Sequence, residues 1–335
     1  MNHISQVVDL IRSGLNPGQP RSSHGLTLVP LFGGAVAKEY LTAAEASAAR
    51  LLTITEVEGG SVPQVAAVNS AELPVLLLDG EHIEGAMQNR ILNSSALIAA
   101  RHKTILPVAC VESGRWHYEA SDDSGGRFDL SDDFAYSRLR SKNAAAVASS
   151  ARAVEGRQVD QGEVWEDVAL KHHERLMDSS ETGAMRDAYD VSRGEINAIL
   201  EDFKTLEPGQ TGVIAAVAGR CVALDAFDRP ETLSKLWPRL LPGYAMDALD
   251  TPFAPLEDGT AQRFLDAAAG GETTSHSGIG LGMDVMVTSP TVVGHALTWE
   301  SGVIHLALFA KSDDGHRTVV DGGQIESPLS RRRFM

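Results

Sequence analysis

Residues 74–78 (PVLLL) form an apolar run that passes straight into Asp79, Glu81, His82, Glu84, Gln88, Asn89, Arg90 and Asn93, with no linker of small polar residues between. A half-exposed strand alternates apolar with polar side chains, so an unbroken run of this kind reads as a strand covered on both faces. The chain must therefore build layers on either side of it. The hydrogen-bonding groups that follow stand at the strand end, where layered folds often place ligand sites. Residues 106–116 (LPVACVESGRW) repeat the arrangement, with Glu112, Arg115 and Trp116 after a second apolar strand.

The rest of the pattern predicts an α+β fold. Ile4, Val7, Val8, Ile11 and Leu15 recur at helical spacing up to Asn16-Pro17-Gly18, which predicts a short amphipathic helix. Residues 24–32 read as a strand, and Thr42 followed by Glu45 has capping-box spacing for a helix over 42–50. Further strands are predicted at "LLTITEVE", "VPQVAAVN", "RILNSSALIAA" and "TILPVACVE". Residues 119–133 read as an exposed acidic loop, and a helical insertion is expected over about 131–204. Gly219-Arg220 suggests a hairpin, residues 230–250 a helix interrupted at Pro238 or Pro242, and "TAQRFLDAAAG" a helix ending at Gly270. Three apolar strands close the chain. The strand-rich ends are expected to share one mixed sheet or two packed sheets. One domain over 1–326 and a short basic tail over 327–335 are the expected organisation.

Composition limits the partners. Hydrophobic residues at 43% and charged residues at 22% are those of a globular body. Lys+Arg 29 against Asp+Glu 45 leaves −16, a field that repels nucleic acid but still permits a small anion held by local arginines. No apolar run is long enough to span a bilayer, and the N-terminus has no secretion pattern, so a cytoplasmic protein is expected. Cys110 and Cys221 lie inside apolar strands and read as buried, reduced thiols.

Several constellations carry possible chemistry. Glu81 and Glu84, three apart, share a face on a helical turn and oppose each other on a strand; paired carboxylates divide acid from base duty. Gln88, Asn89, Arg90 and Asn93 suit a ribose, phosphate or carboxylate. Arg115 suits an anion and Trp116 a stacked base or sugar face. The alternative is that these groups satisfy one another, since buried polar groups are normally bonded. Histidines form no metal signature; His295 and His305 in neighbouring strands would be a two-ligand site needing one more carboxylate or histidine. His172-His173 diverge on a helix, and Gly278, Gly280 and Gly282 precede a strand, unlike a dinucleotide fingerprint. Asp228 reads as a helix cap, and a functional Asp225 has no support in its neighbours.

The stretches "VPLF", "LLLDGEHIEGAMQNRILNSS", "ILPVACVESGRW", "GVIAAVAGRCVALDAFD" and "VIHLALFA" together resemble the prokaryotic family named for its association with ADP-ribosylglycohydrolases and rhodanese-phosphatases. The resemblance runs over most of the chain and is most specific in the first third. It implies a role in NAD or ADP-ribose metabolism, and Glu81, Gln88, Asn89, Arg90, Glu112, Arg115 and Trp116 occupy its motif positions. Met87 stands where many relatives are expected to carry Lys. The resulting expectation is a protein that processes or binds an ADP-ribose-like ligand. Glu81 and Glu112 would be its general acid and base at a glycosidic or phosphoester centre. Arg90 and Arg115 would hold the anion, with Glu84, Gln88, Asn89, Asn93 and Trp116 completing the ligand set and no metal called for. Two alternatives stand beside it: a non-catalytic binding module in which Glu84 and Glu112 neutralise Arg90 and Arg115, and a homo-oligomeric structural component.

Overall fold

A computed structural model describes residues 2–34, 36–57, 63–114, 126–152, 157–175, 180, 182–249 and 251–311. Arg115, Trp116, the start of the expected acidic loop and the basic tail lie outside the described residues. The helices are α1 (His3–Asp9, continued by a π-helical turn Leu10–Gly14), α2 (Ala43–Ala48), α3 (Ser137–Arg152), α4 (Gln161–Glu174), α5 (Met185–Phe203), α6 (Pro230–Ala248) and α7 (Thr260–Ala269). The first twelve strands are β1 (Leu15–Pro17), β2 (Arg21–Ser23), β3 (Leu26–Gly33), β4 (Leu41–Thr42), β5 (Leu52–Glu56), β6 (Gln64–Asn69), β7 (Val75–Leu77), β8 (Glu81–Gly85), β9 (Arg90–Leu92), β10 (Ala96–Ile98), β11 (His102–Cys110) and β12 (Arg127–Phe134). After the helical segment come β13 (Gln210–Val217), β14 (Arg220–Phe227), β15 (Glu272–Ser277), β16 (Ile279–Gly280), β17 (Met283–Thr288), β18 (Val292–Trp299) and β19 (Gly302–Ala310).

The α+β class holds, with three β assemblies where one or two were expected. The large sheet runs β1-β3-β13-β14-β19-β18-β17-β15, with β2 on β3, and so joins both ends of the chain. Strands β11-β6-β5-β12-β8-β9 close a barrel, and β16-β10-β7-β4 form a small sheet. The covered run 75–77 is the centre of that small sheet, with Val75, Leu76 and Leu77 all buried. Strand β16 belongs to the C-terminal half yet pairs in parallel with β10, Ala96 opposite Ile279. Gly280 makes this possible: it sits at φ +85, and a Cβ there would lie 2.2 Å from the carbonyl oxygen of Leu97.

One face of the large sheet packs on α1 and α7 through Val7, Ile11, Phe264 and Leu265. The other face packs on α3 and α6 through Leu139, Leu236, Leu240 and Tyr244. The capping box at Thr42 and Glu45 is present, and α7 ends at Gly270.

Three expectations shift. The helical segment begins at Ser137, not Ser131: residues 127–134 form β12, where Phe128 packs in the barrel core and Phe134 in the main core despite the acidic neighbours. Helix α6 runs unbroken through Pro238 and Pro242, because burial of Leu236, Trp237, Leu240, Leu241 and Tyr244 outweighs the lost backbone hydrogen bonds. The β13–β14 turn is Ala218-Gly219, both at positive φ, the mirror-image geometry that matches strand twist. Cys110 and Cys221 are free and buried. Burial pushes both thiols up, Cys221 to about 11, which removes thiolate character.

Candidate active site

Four adjacent strands each place one titratable residue on the same face of the large sheet. Asp225 of β14 and His295 of β18 both stand opposite Ala307 of β19, His305 lies two residues from Ala307, and Asp284 of β17 stands opposite Leu297. Period-two alternation then puts Asp225, His305, His295 and Asp284 on one surface, the one facing α3 and α6. All four are 2% exposed or less.

Three other elements complete the cluster. The turn after β7 delivers Asp79, the start of β10 delivers Ser95, and α3 delivers Arg140. Gly80, at φ +74, lets Arg140 cross the turn, since a Cβ there would meet the Arg140 side chain at 2.7 Å. Arg140 bonds Asp79 through Nε (3.0 Å) and Nη2 (3.2 Å), and Asp225 through Nη1 (2.9 Å) and Nη2 (2.7 Å). Its guanidinium also lies 4.8 Å over the Phe309 ring. Tyr244 donates to Asp225.

The histidines face inward. His305 Nε2 donates to Asp225 Oδ1 at 3.0 Å, which leaves Nδ1 facing Ser95 Oγ at 2.8 Å. Ser95 Oγ also accepts from the Asp79 backbone N–H (3.0 Å) and lies 3.3 Å from Asp79 Oδ1 and 3.4 Å from His295 Nε2. Asp79 Oδ1 is 3.4 Å from His295 Nε2 and 3.8 Å from His305 Nδ1. Burial works against the charge on Asp79, Asp225 and His295, and their partners outweigh it. Arg140, then His295 and His305, hold Asp79 well below the usual carboxylate range; Arg140 and His305 do the same for Asp225. Asp79, and Asp284 behind it, raise His295.

Towards solvent the cluster is bounded by Arg157, half-buried, which donates to Asp284 and to the Ser277 carbonyl (2.5 Å). Burial here leaves Asp284 raised in spite of Arg157. Around this edge Asn93 Oδ1, Ser94 Oγ, Arg157 Nε and Asp284 Oδ1 are buried with no hydrogen-bond partner. Native interiors rarely strand several such atoms together unless something else binds there.

The residues singled out from sequence sit beside this cluster. Gln88, Asn89 and Glu112 meet one another: Gln88 donates to the Glu112 carbonyl (2.9 Å), and the Asn89 N–H to the Glu112 carboxylate (3.0 Å). Glu81 takes the Leu78 N–H (3.0 Å) and Arg239. Glu84 pairs with Arg186, Arg90 forks onto Glu56 (2.9 and 3.3 Å), and Asn93 donates to the Arg157 carbonyl (3.3 Å). Among the described residues of this set, only Asn93 reaches the edge of the histidine cluster. His295 and His305, which the sequence left without a metal signature, lie in adjoining strands, and Asp79 is the carboxylate beside both. Sequence reasoning misses Arg140 and Ser95; for the sheet residues the available signal is one aspartate or histidine within each of four apolar strands.

A cleft of about 560 Å³ lies elsewhere, at the β13–β14 turn, with Arg138, Lys171, Arg175, Arg220 and Lys311 in its wall. Three of these already meet acids: Arg138 and Lys171 meet Glu174, and Arg175 meets Glu195. No described helix is long and apolar enough to cross a membrane.

Fold and cluster together define an α+β protein with a buried histidine–aspartate–arginine centre assembled from both ends of the chain. The family model described as ARG and Rhodanese-Phosphatase-superfamily-associated Protein domain matches residues 14–309, and the chain belongs to that family. No curated protein matches the chain, and no solved structure does.

Proposed function

We propose that the protein is an enzyme that hydrolyses a small anionic molecule of the ADP-ribose or NAD type, with Asp79, Ser95, Asp225, His295 and His305 as its reactive centre. One observation carries this reading: His305 bridges the Ser95 hydroxyl and the Asp225 carboxylate, a base held by a third group beside an oxygen nucleophile. The centre's task is to generate that nucleophile at Ser95, as the hydroxyl itself or as a water bonded to it. Arg140 keeps both carboxylates ionised, and Arg157 with Asn93 and Ser94 stands where the substrate's anionic part would enter. The family's association with ADP-ribosylglycohydrolases supports the substrate class. Glu81 and Glu112, the acid and base suggested by the motif, are read as groups framing this centre, because each is buried and already bonded on the barrel side.

Chromatographic analysis of NAD, ADP-ribose and ADP-ribosylated peptide incubated with the protein tests this. Turnover of one of them is expected, reduced at least about 100-fold in His305→Gln and in Asp225→Asn. Full turnover in both variants would sink the assignment. A non-catalytic binding reading is favoured by the 560 Å³ cleft, which lies apart from the centre. Under that reading the same ligands raise the melting temperature without being consumed, and Arg220→Ala removes the shift.

A further inference from the structure

We propose that Asp79, His295 and His305 hold a divalent first-row transition cation of the zinc type. The ligating atoms of these three side chains all lie within 4.8 Å of one another. A tetrahedral ion bound at about 2.0–2.2 Å sets neighbouring donors about 3.3–3.6 Å apart. The observed 3.4 Å from Asp79 Oδ1 to His295 Nε2 and 3.8 Å to His305 Nδ1 need only a small contraction.

The groups behind the donors are those a metal site uses. A ligating histidine commonly donates its other ring N–H to a carboxylate, which fixes the tautomer and strengthens the donor nitrogen; here His305 Nε2 donates to Asp225. A ligating carboxylate is commonly hydrogen-bonded from behind; here Arg140 bonds Asp79 at 3.0 and 3.2 Å. Two imidazoles and one carboxylate favour zinc, iron or manganese over calcium or magnesium, which prefer all-oxygen shells. The charge count agrees. Two buried carboxylates face one guanidinium, so with neutral imidazoles the cluster carries an excess negative charge that a cation neutralises.

Size agrees as well. The ligating atoms of the three side chains lie within 4.8 Å of one another, so a single ion fits among them and needs no cleft of its own. The fourth position falls to Ser95 Oγ itself, which is within 3.4 Å of all three donors. This rests on the hydrolytic reading and changes one role within it: with Nδ1 on the ion, His305 would be a ligand and not the base, and the cation would activate the oxygen at Ser95 as a Lewis acid.

Binding is measured without substrate, so it stands or falls apart from the hydrolase reading. The full chain is stripped with chelator and titrated calorimetrically with Zn²⁺. One equivalent is expected to bind, and Asp225→Asn to weaken it about 10–100-fold through His305. Asp79→Asn, His295→Gln and His305→Gln are expected to abolish it, with far-UV circular dichroism reporting on their folding. Because those variants may unfold, X-ray absorption on the zinc-loaded wild type gives an independent answer. Two imidazoles with oxygen ligands, at about 2.0–2.1 Å, support the site. Three results would each overturn it: thiolate ligation from Cys110 or Cys221, no stoichiometric zinc on the wild type, or wild-type affinity in folded His295→Gln.

Discussion

The barrel and the large sheet both bury charge, and they balance it in opposite ways. On the barrel side an acid meets a base directly: Glu81 with Arg239, Glu56 with Arg90, Glu84 with Arg186. On the sheet face one base, Arg140, is shared between two acids, and the remaining negative charge falls to the histidines. Direct pairs neutralise themselves and leave no reason for a further ligand. A shared base leaves the cluster dependent on a proton or a cation, which is the condition a reactive centre needs.

The largest test of this difference is the removal of each arginine. Arg140→Met strands two buried carboxylates, and a loss of about 3–5 kcal/mol is expected in urea denaturation. Arg239→Met strands only Glu81 and is expected to cost less. An equal or larger loss at Arg239 would break the comparison.

Acid provides a second test, of intermediate size. His82 is buried on β8, a barrel strand, with neither ring nitrogen hydrogen-bonded, and burial, then Arg186 and Arg239, push its pKa down from 6.5 to about 3. The unfolded chain takes up this proton near 6.5 and the native ring only near 3. The stability linked to His82 is therefore complete above 6.5 and falls as the pH drops below it, by about 1.4 kcal/mol per unit. Between pH 6.5 and 5 this contributes a loss of about 2 kcal/mol. Denaturation curves of His82→Leu should show a flatter acid limb; an unchanged limb would remove His82 as the barrel's acid sensor.

The smallest expected effect is Glu56→Gln. Glu56 stands at the solvent side of its pair with a 15% exposed side chain, so about 1 kcal/mol is expected by the same denaturation assay. A loss as large as that of Arg140→Met would show that the barrel pairs are not local.

The sequence made the elements legible wherever periodicity was local. The capping box of α2, the run at 75–77 and the three closing strands all follow from spacing. Strand β12 was hidden because Asp129, Asp132 and Asp133 outweigh its alternating Phe128 and Phe134 in composition. The division into three β assemblies was not legible, since β16 finds β10 across most of the chain and no local pattern encodes that pairing. At the centre the two histidines were legible as a pair because their strands adjoin. Arg140 was not, because on an Ala-rich helix it looks like any solvated arginine, and only tertiary packing over Gly80 turns it inward.

The parallel pairing of β16 on β10 has a consequence for synthesis on the ribosome. Asp79 and Ser95 are made early, Arg140 midway, and both histidines among the last strands. A nascent chain that stops before β19 already holds Asp79, Ser95, Arg140, Asp225 and His295 and lacks His305, so the group that joins Ser95 to Asp225 is the last to arrive.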